Sequence, residues 1–319
     1  MFVKNLTKPI ILAQHEVLLP RLSDNHPQRP TVEENFRIFS AGYHGEQKIN
    51  YYLNLLPPKK YFIFQDIRLP VNESHFQIDS YLFSPKTSLV IEGKYYSGTL
   101  LFEKHQLTQT QDHIVNIYEN PLAQVNRQKI LLQDWFEPNQ IPKIPMEHLV
   151  CISNKSSVIN IASGYIEAEK RVCKAENLLM KINEFGDVYK KDVLDPKTIS
   201  KIKRLILQQH TPNRIDILNK YNIERNEIKP GVQCPDCLAI PMQYRNGKWV
   251  CQSCGIISNT AHIHAVDVFF LLMKPSITNA ELKEFLHLPS SRAAAYQLTL
   301  LNLPHSGATK DRVYHQPLP

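Results

Sequence analysis

Residues 76–94 read FQIDSYLFSPKTSLVIEGK. Two runs rich in apolar, β-branched and aromatic residues, Phe76–Phe83 and Ser88–Lys94, flank the turn signal Ser84-Pro85, so the stretch predicts two neighbouring strands. The second run places Glu92 and Lys94 where the pattern calls for core, and Asp79 sits within the first, flanked by Ile78 and Ser80-Tyr81-Leu82. A strand points alternate side chains to opposite faces, so Glu92 and Lys94 share a face and Gly93 points away. Neighbouring strands lie about 4.8 Å apart, so pairing of the two would let the Asp79 and Glu92 carboxylates converge. Two converging carboxylates cannot both stay ionised without a cation between them. A hard divalent ion with oxygen ligands, such as Mg²⁺, meets that need. Lys94 could then orient or help deprotonate an attacking water, or offset charge developing on a phosphate. The set suits metal-dependent phosphodiester cleavage. Taken alone, Glu92 and Lys94 also fit a plain salt bridge at a strand end.

Outward from this pair, Tyr61–Leu69 (YFIFQDIRL) predicts a third strand, and a helical pattern runs from Phe36 to Leu56, ending at Pro57-Pro58. Glu46 precedes Ile49 by three residues and Leu53 by seven, which puts it on the apolar stripe of that helix and aims a carboxylate inward. Residues 98–117 read as a hairpin with polar edges. A second helix is predicted from Pro121 to about Phe136, with Asn120 as N-cap and Gln124 in the first turn, where free N–H groups favour an anion. His148–Ile152 is a short apolar strand. The order predicts an α/β fold over residues 36–155, a mixed sheet flanked by helices. Residues 1–35 read as an irregular N-terminal extension. Residues 156–230 read as a basic, mostly helical linker whose charges suit a solvated helix face.

The strings GYHGEQKI, QIDSYLF, LVIEGKYYSGTL and NPLAQVNRQ, in this order and spacing, resemble the nuclease-related domain (NERD) family. They are similar to the PD-(D/E)xK restriction-endonuclease-like superfamily. The resemblance covers about residues 40–155. It implies a restriction-endonuclease-like fold and a site in which Glu46 matches the first-helix glutamate, Asp79 and Glu92 the metal carboxylates, Lys94 the catalytic lysine and Gln124 the following glutamine. Mg²⁺ or Mn²⁺ would sit on Asp79, Glu92 and the Gly93 carbonyl. Ile78, not proline, precedes the aspartate.

At Cys234 the composition changes. CPDC (234–237) and CQSC (251–254) give C-x2-C-x13-C-x2-C, the spacing of a tetrahedral Zn²⁺ site on Cys234, Cys237, Cys251 and Cys254. MQYRNGKWVC between the pairs reads as a hairpin with Asn246-Gly247 at its tip. Four thiolates leave no open position, so a structural zinc ribbon over residues 231–260 is expected. In the segment 261–319, His262 and His264 read as an ordinary helix start. Beyond Pro275 two helices are predicted around a turn at His287–Ser290, with a Thr278/Glu281 capping box and Ser290 capping the second. GATKDRVYHQ suits a wing hairpin. This resembles a winged helix-turn-helix, in which Arg292, Lys310 and Arg312 would contact nucleic acid; a generic helical hairpin is the plainer alternative.

The chain has 319 residues, 43% hydrophobic and 21% charged, which suits a globular protein of about two domains. The net charge of +7 leans toward an anionic partner. No run approaches the roughly 18 apolar residues of a membrane span, and the N-terminus does not read as a secretory leader. Six cysteines, four of them in CxxC pairs, point to a reducing compartment, the cytoplasm. The expectation is a metal-dependent nuclease acting on nucleic acid, with DNA favoured, and a homodimer or partner proteins compatible. The rival is a DNA-binding or regulatory protein whose nuclease-like domain has no turnover.

Overall fold

The computed structural model describes residues 1–308 and 311–317. Strand β1 (Phe2–Lys4) is followed by helices α1 (Ile10–Leu18) and α2 (Arg29–Asn54). The segment expected to be irregular is therefore largely ordered, and α2 starts seven residues before the predicted Phe36. Pro30 is no obstacle, because the first helical turn needs no backbone N–H. The chain divides into two units. One holds Met1–Lys8 and Ser40–Asn213; the other holds Pro9–Phe39 and Arg214–Pro319.

In the first unit the sheet continues with β2 (Phe62–Val71), β3 (Ser74–Phe83) and β4 (Ser88–Lys94). A hairpin region gives β5 (Thr99–Phe102), β6 (Gln106–Gln111) and β7 (Ile114–Glu119). Then come α3 (Pro121–Phe136), β8 (Met146–Ile152), β9 (Val158–Ile161), α4 (Ile166–Arg171), β10 (Val172–Lys174), α5 (Leu178–Val188) and α6 (Pro196–Gln209). The main sheet has the order β1-β2-β3-β4-β8-β10 and is mixed: β2–β3–β4 are antiparallel, while β1 on β2, β4 on β8 and β8 on β10 are parallel. A second sheet has the order β7-β6-β5-β9.

Strand β4 shows why the layers form. Val90 packs into a core with Leu122, Val125 and Leu132 of α3 and Ile199, Ile202 and Ile206 of α6. Leu89 and Ile91 face the other core, with Ile49 and Leu53 of α2 and Leu178 and Ile182 of α5. A strand buried on both faces reads as an unbroken apolar run, which is how LVI reads.

Strands β2 and β3 break this alternation at one level. Phe64 and Ile67, three apart, share a core, and so do Ile78 and Tyr81. Residues three apart in a regular strand face opposite sides. The register is kept, with Gln65 against Ser80 and Ile67 against Ile78, so both strands flip together at Asp66 and Asp79. Asp66 does this with a left-handed backbone, φ 49°, which aspartate tolerates better than most residues.

In the second unit α7 (Ile217–Lys220) precedes a small sheet of β11 (Gln243–Arg245), β12 (Lys248–Val250) and β13 (Ile257–Ser258). Asn246 and Gly247, φ 49° and 81°, form the left-handed two-residue turn that the sequence predicts between β11 and β12. Helix α8 (Ala261–Leu272) begins at the expected histidine pair. Then follow β14 (Ser276–Thr278), α9 (Asn279–Phe285), α10 (Ser291–Leu301), β15 (His305–Ser306) and β16 (Val313–His315), with the antiparallel order β14-β16-β15. Thr278 and Glu281 form the reciprocal capping box, and Ser290 accepts from the Ala293 N–H. Trp249, Ala265, Phe270, Leu282 and Leu298 join one core.

Candidate functional site

The carboxylate of Glu92 is buried on the α3 side of β4, the side of Val90. Its Oε1 accepts from Lys94 Nζ at 2.7 Å and from Gln124 Nε2 at 2.7 Å; its Oε2 accepts from Gln128 Nε2 at 2.7 Å. Lys94 Nζ also donates to Gln124 Oε1 at 3.0 Å. Asn120 starts α3 at the right level, its side chain accepting from the Leu122 N–H at 2.9 Å. Gln124 and Gln128 are one turn apart, so one face of the helix supplies both amides. Gln128 was not anticipated from the sequence; its spacing of four from Gln124 was the available signal.

Asp79 falls opposite Glu92 when the β3–β4 ladder is carried one step past Ser80–Ile91. Its Oδ2 accepts from the Gly93 N–H at 2.9 Å, and a Cβ at Gly93 would lie 3.7 Å from that oxygen and 2.6 Å from Ile49 Cδ1. Gly93 points away from the Glu92 and Lys94 side of the strand, as alternation predicts. It faces α2, and the Asp79 carboxylate reaches round to it. Carrying the row across β2 adds Asp66, between the pairs Gln65–Ser80 and Ile67–Ile78. Asp66 was also missed, although an acid in the apolar run YFIFQDIRL is the same kind of signal as Asp79. Lys4 Nζ closes this end of the row, donating to the carbonyls of Gln65 and Asp66 at 2.7 and 2.9 Å.

Glu46 comes to the row from α2. Burial, then Asp66 and Glu92, push its acid from 4.5 up to about 7. Burial, Glu92 and Glu46 likewise raise Asp79, against the Gly93 N–H and Lys94. Burial pulls the Lys94 ammonium down, but contact with Glu92 more than offsets it and the net shift is upward. Lys94 is thus held protonated, while the carboxylates around it resist joint ionisation. That is the electrostatic condition under which a divalent cation is accommodated. Two carboxylates and a carbonyl are an oxygen donor set suited to Mg²⁺ or Mn²⁺. The Glu46, Asp79 and Glu92 oxygens do not all converge: among the described residues, only four cysteines bring three or more ligand atoms within 4.8 Å of one another.

Those cysteines are Cys234, Cys237, Cys251 and Cys254. Cys234 Sγ lies 3.6 Å from Cys254 Sγ, and Cys237 Sγ lies 3.5 Å from Cys251 Sγ. A tetrahedral ion with Zn–S bonds of about 2.3 Å needs sulfur–sulfur edges of about 3.8 Å, so the four can hold zinc. Backbone N–H groups of Cys254 and Ser253 hold the Cys251 thiol down at about 6, which favours the thiolate ligand. Arg292, in the first turn of α10, and Arg312, beside β16, are exposed. Lys310 lies outside the described residues. No helix among the described residues is long and apolar enough to cross a membrane.

No curated protein and no solved structure matches the chain. Residues 41–153, which carry Glu46, Asp79, Glu92, Lys94 and Gln124 together, match the family model of the nuclease-related domain, and this segment of the chain is a nuclease-related domain.

Proposed function

We propose that the protein is a metal-dependent nuclease that hydrolyses phosphodiester bonds of nucleic acid, DNA in preference. The observation that carries this reading is the Glu92 carboxylate, buried at the end of β4 and clamped by Lys94, Gln124 and Gln128, with Asp79 opposite it on β3. Asp79, Glu92 and the Gly93 carbonyl would hold Mg²⁺ or Mn²⁺. Such an ion supplies a more acidic bound water and polarises a phosphoryl oxygen. Lys94 acts as an ammonium, offsetting negative charge that builds on the phosphate, and Gln124 fixes its direction through the 3.0 Å contact. Glu46, with its acid near neutrality, takes up a proton at its carboxylate from the attacking water. Zinc on the four cysteines is structural. Arg292 and Arg312 contact phosphates, as does Lys310 in the same role.

The test is incubation of the purified protein with labelled single- and double-stranded DNA and RNA in Mg²⁺, in Mn²⁺ and with neither. Cleavage is expected only with added metal. Glu92→Gln and Lys94→Ala are each expected to reduce it by about 10²–10³-fold while the protein stays folded. Metal-dependent cleavage that survives both substitutions removes the assignment. Binding without any cleavage by the unaltered chain would instead favour a nucleic-acid-binding protein.

A further inference from the structure

Past Lys94 the chain leaves β4 through two tyrosines that part company. Tyr96 stacks on Tyr118, with centroids 4.9 Å apart, and packs against the α3-side core. Tyr95 meets α2 instead. Lys48 Nζ lies 5.0 Å from the centre of its ring, and the His44 ring meets it edge-on at 5.4 Å and 84°. His44 and Lys48 are four apart, one helical turn, and they bracket Glu46. The helix approaches this closely because residue 45 is glycine: a Cβ there would lie 2.8 Å from Tyr95 Cβ and 2.7 Å from Ser153 Oγ. Tyr95 is partly exposed and His44 is exposed. An aromatic face, an ammonium and an imidazole therefore stand one residue past Lys94, on the α2 side of the acidic row.

We propose that Tyr95, with Lys48 and His44, forms a subsite for an unpaired nucleotide next to the scissile phosphate, so that the site prefers single-stranded or locally unpaired nucleic acid. This rests on the nuclease reading above. A nucleobase offers every aromatic ring the same stacking partner whatever its identity, whereas a base inside a duplex already has both faces covered and must first be unstacked. The Lys48 ammonium lies over the ring in a partly exposed cation–π contact, and a phosphate one nucleotide away offers it full charge pairing. Ring and cation then serve the base and the backbone of one nucleotide.

The experiment measures fluorescence anisotropy of a labelled 12-mer oligodeoxynucleotide, single-stranded or in a duplex, on the full-length protein at 4 °C without added Mg²⁺ or Mn²⁺. The unaltered protein should bind the single strand more tightly. Tyr95→Leu should weaken single-strand binding roughly 5- to 150-fold and leave duplex binding unchanged, and Tyr95→Phe should keep the original affinity. Lys48→Ala should lower the single-strand salt slope by about 0.7. Should Tyr95→Leu lose its thermal transition, the variant Lys48→Ala carries the test. Equal affinity of Tyr95→Leu and the unaltered protein for the single strand overturns the subsite, as does an unchanged slope for Lys48→Ala or the absence of a single-strand preference. Intact metal-dependent cleavage alongside any of these leaves the nuclease reading standing. Tyr95-dependent binding by a protein that never cleaves does the reverse.

Discussion

At the scale of single residues, Glu46 is the most informative group. Its folded acid sits at about 7, against an ordinary 4.5, because burial, Asp66 and Glu92 oppose its ionisation. A raised carboxylate makes the folded state bind the extra proton, so its contribution falls as pH rises from about 4.5 through 7. Glu46→Gln cannot ionise. In metal-free buffer it should raise stability by about 1 kcal/mol at pH 5 and by up to about 3 kcal/mol at pH 8. Thermal midpoints of both proteins at the two pH values check this; a pH-independent difference would contradict the charge cluster. The sequence announced Glu46 through its place on an apolar helical stripe, and Glu92 and Lys94 through charges ending an apolar strand. Asp66 stayed hidden because its role depends on a strand two removed from Glu92.

At the scale of elements, the meeting of α2 and β4 positions Glu46 against the acidic row, and two glycines of α2 test it. A Cβ at Gly42 meets nothing within 4 Å, whereas one at Gly45 would strike Ser153 and Tyr95. Alanine is the better helix former, so Gly42→Ala should stabilise by roughly 0.5–1 kcal/mol. Gly45→Ala gains the same propensity but must push the helix from the strand, at a cost of about 1–3 kcal/mol, and should slow cleavage as Glu46 retreats. Thermal unfolding of both variants, with cleavage rates, decides it; matching stabilities would mean that the helix–strand contact is loose. The helix itself was legible from Phe36 onward. Its first two turns were not, because Arg29-Pro30 follows a polar stretch that looks like a loop.

At the scale of the whole molecule, the segment 41–153 holds only part of the sheet and cores it packs into. It lacks both edge strands of the main sheet, β1 and β10. It also lacks Ile199, Ile202 and Ile206 from one core, and Ala175, Leu178 and Ile182 from the other. Each large apolar side chain left uncovered forfeits about 1.5–3 kcal/mol, and a domain holds only about 5–15 in total. A fragment of residues 41–153 should therefore show no cooperative thermal transition, while the full chain does. A sharp transition in the fragment would show that the later helices are dispensable.

Local chemistry accounts for much of this protein. The apolar strands with their misplaced charges, the Asn120 and Thr278 caps, the Asn246-Gly247 turn and the four-cysteine spacing are all short-range patterns, and the structure has each of them. Strand alternation places Gly93 correctly, opposite Glu92 and Lys94, but gives no sign that the Asp79 carboxylate reaches the Gly93 N–H. The paired flip of β2 and β3 at Asp66 and Asp79 arises from two strands adjusting together, and no pattern within either strand encodes it. The edge strands β1 and β10 are three residues each, too short to show a period, and take their place only because the neighbouring ladders accept them. Side-chain period and turn chemistry act within a few residues. The charge row that couples Glu46, Asp66, Asp79 and Glu92 exists only once distant strands and a helix share one dielectric interior.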